Sequence, residues 1–482
     1  MNIDLTVKWK SDYETDWNCE TICVEDNESS FYKGIAEKLL VVDFPGELRA
    51  ESNLGDVVYS VKQRGTYWRD FEKVPSMYVT KKFDSVYGLA PSSYSPVYLT
   101  CVSPGADSHG YGNYKFYQMA VENGEIKVNY GRIGADEHEM FGKRSTTYSD
   151  TTLYWIRYYE KLSKLYKDKS NVFYSPVHQR KRKDADSKDC NEVRYELFSK
   201  LARFANKALD DTLLDVDVTE GMIAESRNIY NKLCEQSDVD GFNEVLLDLF
   251  AVSPRKVRSL NSLLAKSKLD FPAIIDREES LILAMEGSVS HNTKESGIEN
   301  IEVYIATEEQ CNKVLCMLDD NLKTKVKRIY RVINPEHKKR FNSYLKRHHI
   351  KTVKELWHGS RNQNWYSIIK NGLQLNPNAV ITGKMFGNGI YFAPKAQKSW
   401  GYTSYRGSYW ANGNDKTAYM GLYCTAYGTP MDCYGLQTFT QQILTDSGRN
   451  CVHAHAGQYL CNDEIVFYSE SAILLNYIVE FE

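Results

Sequence analysis

Three glycines stand within seven residues, Gly383, Gly387 and Gly389, and Ile390-Tyr391-Phe392-Ala393 follows at once. Glycines spaced in this way let the backbone approach a neighbour more closely than a side chain allows, and the apolar run after them enters a buried strand. Upstream, Leu356-Trp357-His358-Gly359-Ser360-Arg361 makes a turn behind an apolar pair that ends a strand. Downstream, Lys398-Ser399-Trp400-Gly401-Tyr402 supplies further polar and aromatic groups. From Leu356 to Tyr402 a histidine, a glycine-rich turn and several aromatics fall where one ligand can touch them all.

The chain around this stretch has 482 residues, too many for one ordinary core, and roughly three or four domains are expected at that length. Hydrophobic residues at 42% and charged residues at 26% place it among globular proteins, with no apolar run of bilayer length. The start, Met1-Asn2-Ile3-Asp4-Leu5, lacks a basic region followed by an apolar segment, so an intracellular, unsecreted protein is expected. The 11 cysteines are scattered without framework spacing and read as free thiols in a reducing compartment. Cys19 and Cys23 have no second pair at zinc-ribbon spacing, and His453-Ala454-His455 alternates as an ordinary strand does, so no metal is expected. A net charge of -3 excludes a uniformly basic nucleic-acid coat and confines any DNA contact to local patches.

Periodicity divides the chain further. Residues 1–94 mix alternating runs such as Ile3-Asp4-Leu5-Thr6-Val7-Lys8-Trp9 with turn signals at Pro45-Gly46, the pattern of a small β-rich or mixed domain that carries no motif. Over 95–176, strands at Val97–Val102 and Tyr114–Val121 lead through the hairpin signal Asn123-Gly124 to Ile126–Gly134. A helix from about Asp150 to Lys167 then carries Leu153, Ile156, Tyr159, Leu162 and Tyr166 on one face. Residues 177–190 form a linker whose Gln179-Arg180-Lys181-Arg182-Lys183 is basic, either a solvated run or an import or nucleic-acid patch. Residues 191–290 turn helical, with Leu197, Leu201, Ala205 and Leu209 at helical spacing and a break at Ser253-Pro254. Residues 291–482 alternate strand and helix without a Gly-x-Gly-x-x-Gly fingerprint, so a dinucleotide site there is not of the Rossmann type.

Taken together, His358-Gly359-Ser360, the Gly389-Ile390-Tyr391-Phe392-Ala393 run and an acid before a late apolar strand resemble the NAD-binding core of the poly(ADP-ribose) polymerase family. Counting back from Tyr477 in the last strand puts Glu464 at that family's glutamate. Asp463 is the alternative by local register, but a shift of one residue would send the side chain to the other face.

The resemblance implies a multidomain α+β protein. Its parts are the N-terminal domain, a WGR-like β-sheet plus helix, an all-α regulatory bundle and a C-terminal ADP-ribosyltransferase split antiparallel sheet. It implies NAD as substrate, with no metal. Glu464 would stabilise the charge that develops on the ribose, Gly359 and Ser399 would bind the carboxamide, and Tyr391 and Tyr402 would stack on nicotinamide. His358 and Ser360 would bind the adenosine ribose.

Tyr130-Gly131-Arg132-Ile133-Gly134 is similar to the WGR motif of DNA-dependent members, with Tyr130 in place of tryptophan. Stacking by Tyr130 and phosphate contact by Arg132 are thus expected at DNA strand breaks. Asp276 falls where the family has an acid on the regulatory helix facing NAD. Lys398 matches a lysine of polymer-forming members, whereas Gln374 and Lys384 depart from the best-known nuclear ones. The implied partners are NAD, broken DNA and acceptor proteins including the chain itself, in a nucleus where the cell has one and in the cytoplasm otherwise. A mono-transferring enzyme and a binding scaffold without strong catalysis are the alternatives.

Overall fold

The structure is a computed structural model describing residues 2–10, 15–25, 27–41, 47–51, 57–69, 72–81, 94–104, 112–133, 142–174, 192–213, 218–257, 259–292, 297–375 and 385–482. The expected Pro45-Gly46 turn, Gly134, the basic cluster at 179–183 with its linker, and Lys384 lie outside the described residues. The chain divides into two compact units, Met1–Phe173 and Tyr174–Glu482.

In the first unit, strands β1 (Asn2–Lys10) and β2 (Asn18–Glu25), helix α1 (Glu28–Val41) and strands β3 (Glu47–Glu51), β4 (Val57–Arg69) and β5 (Glu72–Lys81) make a mixed domain. Its sheet runs β2-β1-β3-β4-β5. Leu5 and Val7 alternate inward from β1 and meet Phe31, Tyr32, Ile35 and Ala36 of α1. That helix lies so close that a Cβ on Gly34 would come within 2.7 Å of Val24.

The second sheet is built from β6 (Val97–Ser103), β7 (Asn113–Glu122), β8 (Glu125–Arg132) and β9 (Arg144–Tyr148), followed by helix α2 (Tyr154–Ser163), β10 (Lys167–Asp168) and α3 (Ser170–Phe173). Its order is β10-β6-β7-β8-β9. The Asn123-Gly124 signal makes the expected hairpin, both residues having positive φ, at 54° and 78°.

Helix α2 is shorter than the spacing of its apolar residues suggests. It stops at Ser163, Leu165 enters the left-handed region at φ 65°, and Lys167–Asp168 pairs with Leu99–Thr100 as an edge strand. The helix also buries two faces. Ile156 and Tyr159 join the core of the first sheet, while Tyr154, Tyr158 and Leu162 join that of the second.

The second unit begins with four long helices, α4 (Glu192–Thr212), α5 (Glu220–Cys234), α6 (Val239–Val252) and α7 (Phe271–Asn292). Thr219 and Asp238 cap α5 and α6 by accepting the amides of Met222 and Gly241. Helix α6 ends at Val252, before Pro254. Leu197, Phe198, Leu201 and Ala202 of α4 share one core with Ile301, Val303 and Tyr366, so the helices are packed into the domain that follows them.

That domain continues through β11 (Glu302–Ile305), α8 (Glu308–Cys316), α9 (Asp320–Lys323), β12 (Val326–Ile333), α10 (Pro335–Arg347), β13 (Lys354–Gly359), α11 (Trp365–Asn371), β14 (Ile390–Phe392) and α12 (Ala396–Trp400). It closes with β15 (Ala418–Thr425), β16 (Pro430–Cys433), α13 (Gln441–Asp446), β17 (Cys451–Ala454), β18 (Glu464–Phe467) and β19 (Ile473–Phe481). The strands form two sheets, β11-β12-β19-β15-β13 and β14-β18-β17-β16. Pairing is antiparallel in both except between β16 and β17, which run parallel because α13 carries the chain back between them. The sheets are stitched where Trp357 and Ala393 exchange two backbone hydrogen bonds of 2.9 Å.

Helix α7 is anchored by a buried ion pair. Glu278 accepts from Arg255 and, at 2.7 Å, from Arg277, while Arg255 also donates to the Ser253 carbonyl at 2.6 Å. Removing one partner of such a pair leaves the other charge buried and alone, at a cost of about 3–5 kcal/mol. Urea unfolding of Glu278→Leu is expected to show that loss, and the added Arg255→Leu to restore most of it.

Candidate functional site

The site lies where the two sheets meet. β13 ends in His358 and Gly359, and the Trp357–Ala393 exchange sets this end against the end of β14. His358 Nδ1 stands 3.0 Å from the carbonyl oxygen of Tyr391. A carbonyl only accepts, so Nδ1 donates and the ring orientation is fixed. Trp365, Phe392 and Tyr423 surround the ring edge-on or tilted. Ser360 accepts from Asn364 Nδ2 at 3.0 Å, and its carbonyl accepts from the Trp365 indole at 3.3 Å.

Gly359 has no room for a side chain. A Cβ there would lie 1.9 Å from the carbonyl oxygen of Ser399, so helix α12 is laid directly against the end of β13. Ser399 is buried and donates its hydroxyl to the Trp357 carbonyl at 3.0 Å, which leaves its oxygen as an acceptor. The glycine turn closes on Tyr391, whose hydroxyl accepts from the Phe386 amide at 3.0 Å and donates to the Gly387 carbonyl at 2.9 Å. Gly387 holds φ 86° with Phe439 against its α-carbon, so glycine is required there. Burial raises the pKa of the Tyr391 phenol, and the Glu464 carboxylate adds to that.

Glu464 opens β18 and is buried, with Lys398 Nζ 2.7 Å from its Oε1. The same ammonium donates to the Asn462 carbonyl at 2.9 Å. Register places Ala454 beside Glu464 and Val466 beside Tyr391, so Glu464 and Tyr391 share one face of the sheet. Asp463 points the other way. Its Oδ1 accepts from the Ala456 amide at 2.8 Å and its Oδ2 lies 2.8 Å from His453 Nε2. The Ala456 amide foremost, then the His453 ring, hold Asp463 below the usual carboxylate range.

Tyr402 stands at the mouth of the site, stacked on Trp410 with centroids 6.1 Å apart. Its pKa is pushed up to about 12 by burial, then by the carboxylates of Glu464 and Asp276. Asp276, in the first turns of α7, pairs with Arg361 at 2.8 Å. The fold therefore brings His358, Gly359, Ser360, Tyr391, Ser399, Tyr402 and Glu464 together where the two sheets meet, with Asp276 of α7 beside them, while Gln374 is exposed.

Tyr130 and Arg132 lie in the first unit, on β8. Tyr130 packs beside Tyr117 at 6.3 Å, and Arg132 donates to the Gly112 carbonyl at 3.3 Å. Gly131 between them would place a Cβ 2.7 Å from the Gly142 carbonyl oxygen.

Sequence reasoning passed over Arg361 and Trp410. The position of Arg361 directly after His358-Gly359-Ser360 was the available signal for the first. Trp410 is brought in only by a loop that folds back so that its amide donates to Gly401, and no spacing rule encodes that.

Comparison with known proteins adds to this geometry. Residues 299–482 match the poly(ADP-ribose) polymerase catalytic domain. A putative poly(ADP-ribose) polymerase-like protein of invertebrate iridescent virus 6 is 28% identical over 180 residues, 36% of this chain and 95% of the viral protein. Human poly(ADP-ribose) polymerase 2 is 56% identical over 48 residues, 10% of this chain and 8% of the human one. The Drosophila melanogaster poly(ADP-ribose) polymerase is 29% identical over 180 residues, 35% of this chain and 17% of the fly protein. The chain carries a poly(ADP-ribose) polymerase catalytic domain over residues 299–482.

Its C-terminal domain is thus an ADP-ribosyltransferase domain with NAD as substrate, and the chemistry needs no metal. The matches to the human and fly polymerases span only a small part of those proteins. At Gly359 the space a side chain would take is filled by the Ser399 carbonyl, and Tyr391 and Tyr402 both lie near enough to Glu464 to feel its charge.

Because that space admits no Cβ, Gly359→Ala must push α12 away from β13. A displacement of the order of 1 Å costs about 100-fold in rate. Nicotinamide release from NAD is expected to fall by that factor in Gly359→Ala, and its thermal midpoint to fall as well, because the clash is with backbone. An unchanged rate would mean that the contact is relieved without disturbing the site.

Proposed function

We propose that this poly(ADP-ribose) polymerase builds ADP-ribose chains on acceptor proteins, itself included, and that broken DNA switches it on. The observation that carries the chemistry is the placement of Glu464, buried on the same sheet face as Tyr391 and held by Lys398 at 2.7 Å. When the glycosidic bond of NAD breaks, its electron pair leaves with nicotinamide and the ribose becomes positive. A carboxylate fixed beside that ribose stabilises the charge. The acceptor oxygen then bonds to the ribose carbon, and Glu464 takes the hydroxyl proton during chain extension. Backbone groups of Gly359 and the Ser399 hydroxyl hold the carboxamide, Tyr391 and Tyr402 the ring, and His358 with Ser360 the adenosine ribose.

Regulation is the second part of the reading. Asp276 belongs to α7, lies near enough to Tyr402 to raise its pKa, and is tied to Arg361 beside the His358 turn. A helix whose carboxylate sits beside the site suits a restraint on NAD entry, released when an activator binds the open state better than the closed one. Tyr130 and Arg132 are the groups we assign to DNA ends. The Tyr130 ring would stack on an exposed sugar or base and Arg132 would meet phosphate. Such a protein works in the nucleus of a cell that has one.

The test is incorporation of labelled NAD into protein with and without nicked or blunt-ended DNA. Long products are expected only with DNA, and Glu464→Gln is expected to reduce them by about 100-fold or more. Tyr130→Ala with Arg132→Ala should remove the response to DNA and leave the basal rate. Single-unit products would assign mono-transfer instead. Equal activity with and without DNA would remove the damage-sensing role, and NAD binding without turnover would assign a scaffold.

A further inference from the structure

The four-stranded sheet has a second face, and His453 and His455 project from it. Register pairs His453 with Ile465, and Ile465 with Phe392, so His453 lies opposite the face that holds Glu464 and Tyr391. Parallel pairing of β16 with β17 sets Asp432 beside His453, and Asp463 comes to the same side just before β18. Donor atoms of Asp432, His453 and His455 all lie within 4.8 Å of one another. His455 Nε2 is 2.7 Å from Asp432 Oδ1, and His453 Nε2 is 2.8 Å from Asp463 Oδ2.

We propose that Asp432, His453, His455 and Asp463 form a binding site for a first-row divalent cation, zinc foremost. The site would clamp β16, β17 and the start of β18 together. Two imidazoles select a borderline-soft ion over calcium or magnesium, which take oxygen alone. Two carboxylates balance the charge of a divalent cation. A tetrahedral site with bonds of about 2.0–2.1 Å separates its ligand atoms by roughly 3.3 Å. The histidine–aspartate hydrogen bonds already approach that spacing, and the side chains close the remainder.

An independent feature is the outer partner of His453. Tyr427 Oη lies 2.8 Å from His453 Nδ1. Without a cation the Nε2 proton goes to Asp463 and the phenol donates to Nδ1. With one, the proton moves to Nδ1 and is accepted by Tyr427, and the Nε2 lone pair turns to the metal. The imidazole stays neutral, so no proton is lost overall. A ligating histidine held from its far nitrogen in this way is a regular part of metal sites, worth about 10–100-fold in affinity. Partial exposure of Asp432, at 53%, and Asp463, at 35%, gives an ion a way in.

The cation would act apart from the transfer chemistry. It would fix Asp463, whose next residue is Glu464, so the site steadies the strand that carries the carboxylate without touching substrate. The proposal stands whether or not the DNA-dependent reading does.

The test is titration of the whole metal-free chain with cobalt(II) and zinc(II), read by visible absorption, by equilibrium dialysis and by thermal midpoint. One ion per chain, the intense visible bands of four-coordinate cobalt, and a midpoint that zinc raises and a chelator returns are expected. Tyr427→Phe should weaken binding by about 10-fold or more while the stoichiometry holds. His453→Ala with His455→Ala should abolish the bands. Asp432→Asn, which keeps the size of the side chain, provides a milder second loss that is independent of any misfolding in the double variant. No saturable ion in the wild-type chain, or the pale spectrum of six-coordinate cobalt shared equally by wild type and double variant, would overturn the site.

Discussion

Two backbone hydrogen bonds between Trp357 and Ala393 join the halves of the catalytic domain. Without them β13 and β14 belong to separate sheets, and the histidine turn has no fixed relation to the tyrosine that follows the glycines. With them the His358 ring reaches the Tyr391 carbonyl, and Gly359 comes under Ser399. Ser399 in turn donates to Trp357, so the residue that stitches the sheets also anchors helix α12. The indole of Trp357 is fully buried and donates to Met317, which carries the same anchor out to the other side of the core.

Charges are paired around this junction. Lys398 faces Glu464, Arg361 faces Asp276, and Glu286 on the same helix α7 receives Arg227, Ser367 and Asn371. Lys200 and two tyrosines surround the buried Glu480 beneath α4. The helices are therefore fastened to the transferase sheets by polar contacts as well as by Leu197 and Phe198. Buried polar contacts of this kind, when their partners are all in place, fix one arrangement of the packed elements.

Much of this was legible in the sequence because it rests on local rules. The Asn123-Gly124 hairpin, the α6 break before Pro254 and the Gly-Ile-Tyr-Phe strand all follow from the backbone freedom of particular residues. Glu464 and not Asp463 shares the Tyr391 face because strand alternation allows one of them only. What stayed hidden depends on distant pairing. Helix α2 reads as amphipathic with one face, yet Ile156 and Tyr154 serve different cores, since a second sheet comes to it from the beginning of the chain. His453-Ala454-His455 reads as plain strand until the parallel crossover brings Asp432 alongside, and a crossover has no signature in local spacing. Trp410 reaches Tyr402 through an irregular loop that no period or turn signal marks.

The bare backbone at Gly359 has a consequence for how such a site changes over generations. A pocket that reads its ligand through side chains can be retuned by exchanging them, but one floored by main chain presents the same peptide groups whatever the surrounding sequence becomes. Drift at this position is closed off by the oxygen of Ser399. Divergence in what the site accepts, and escape from compounds that imitate its ligand, must then be written in the side chains around it, such as Tyr402 and the Trp410 stacked on it.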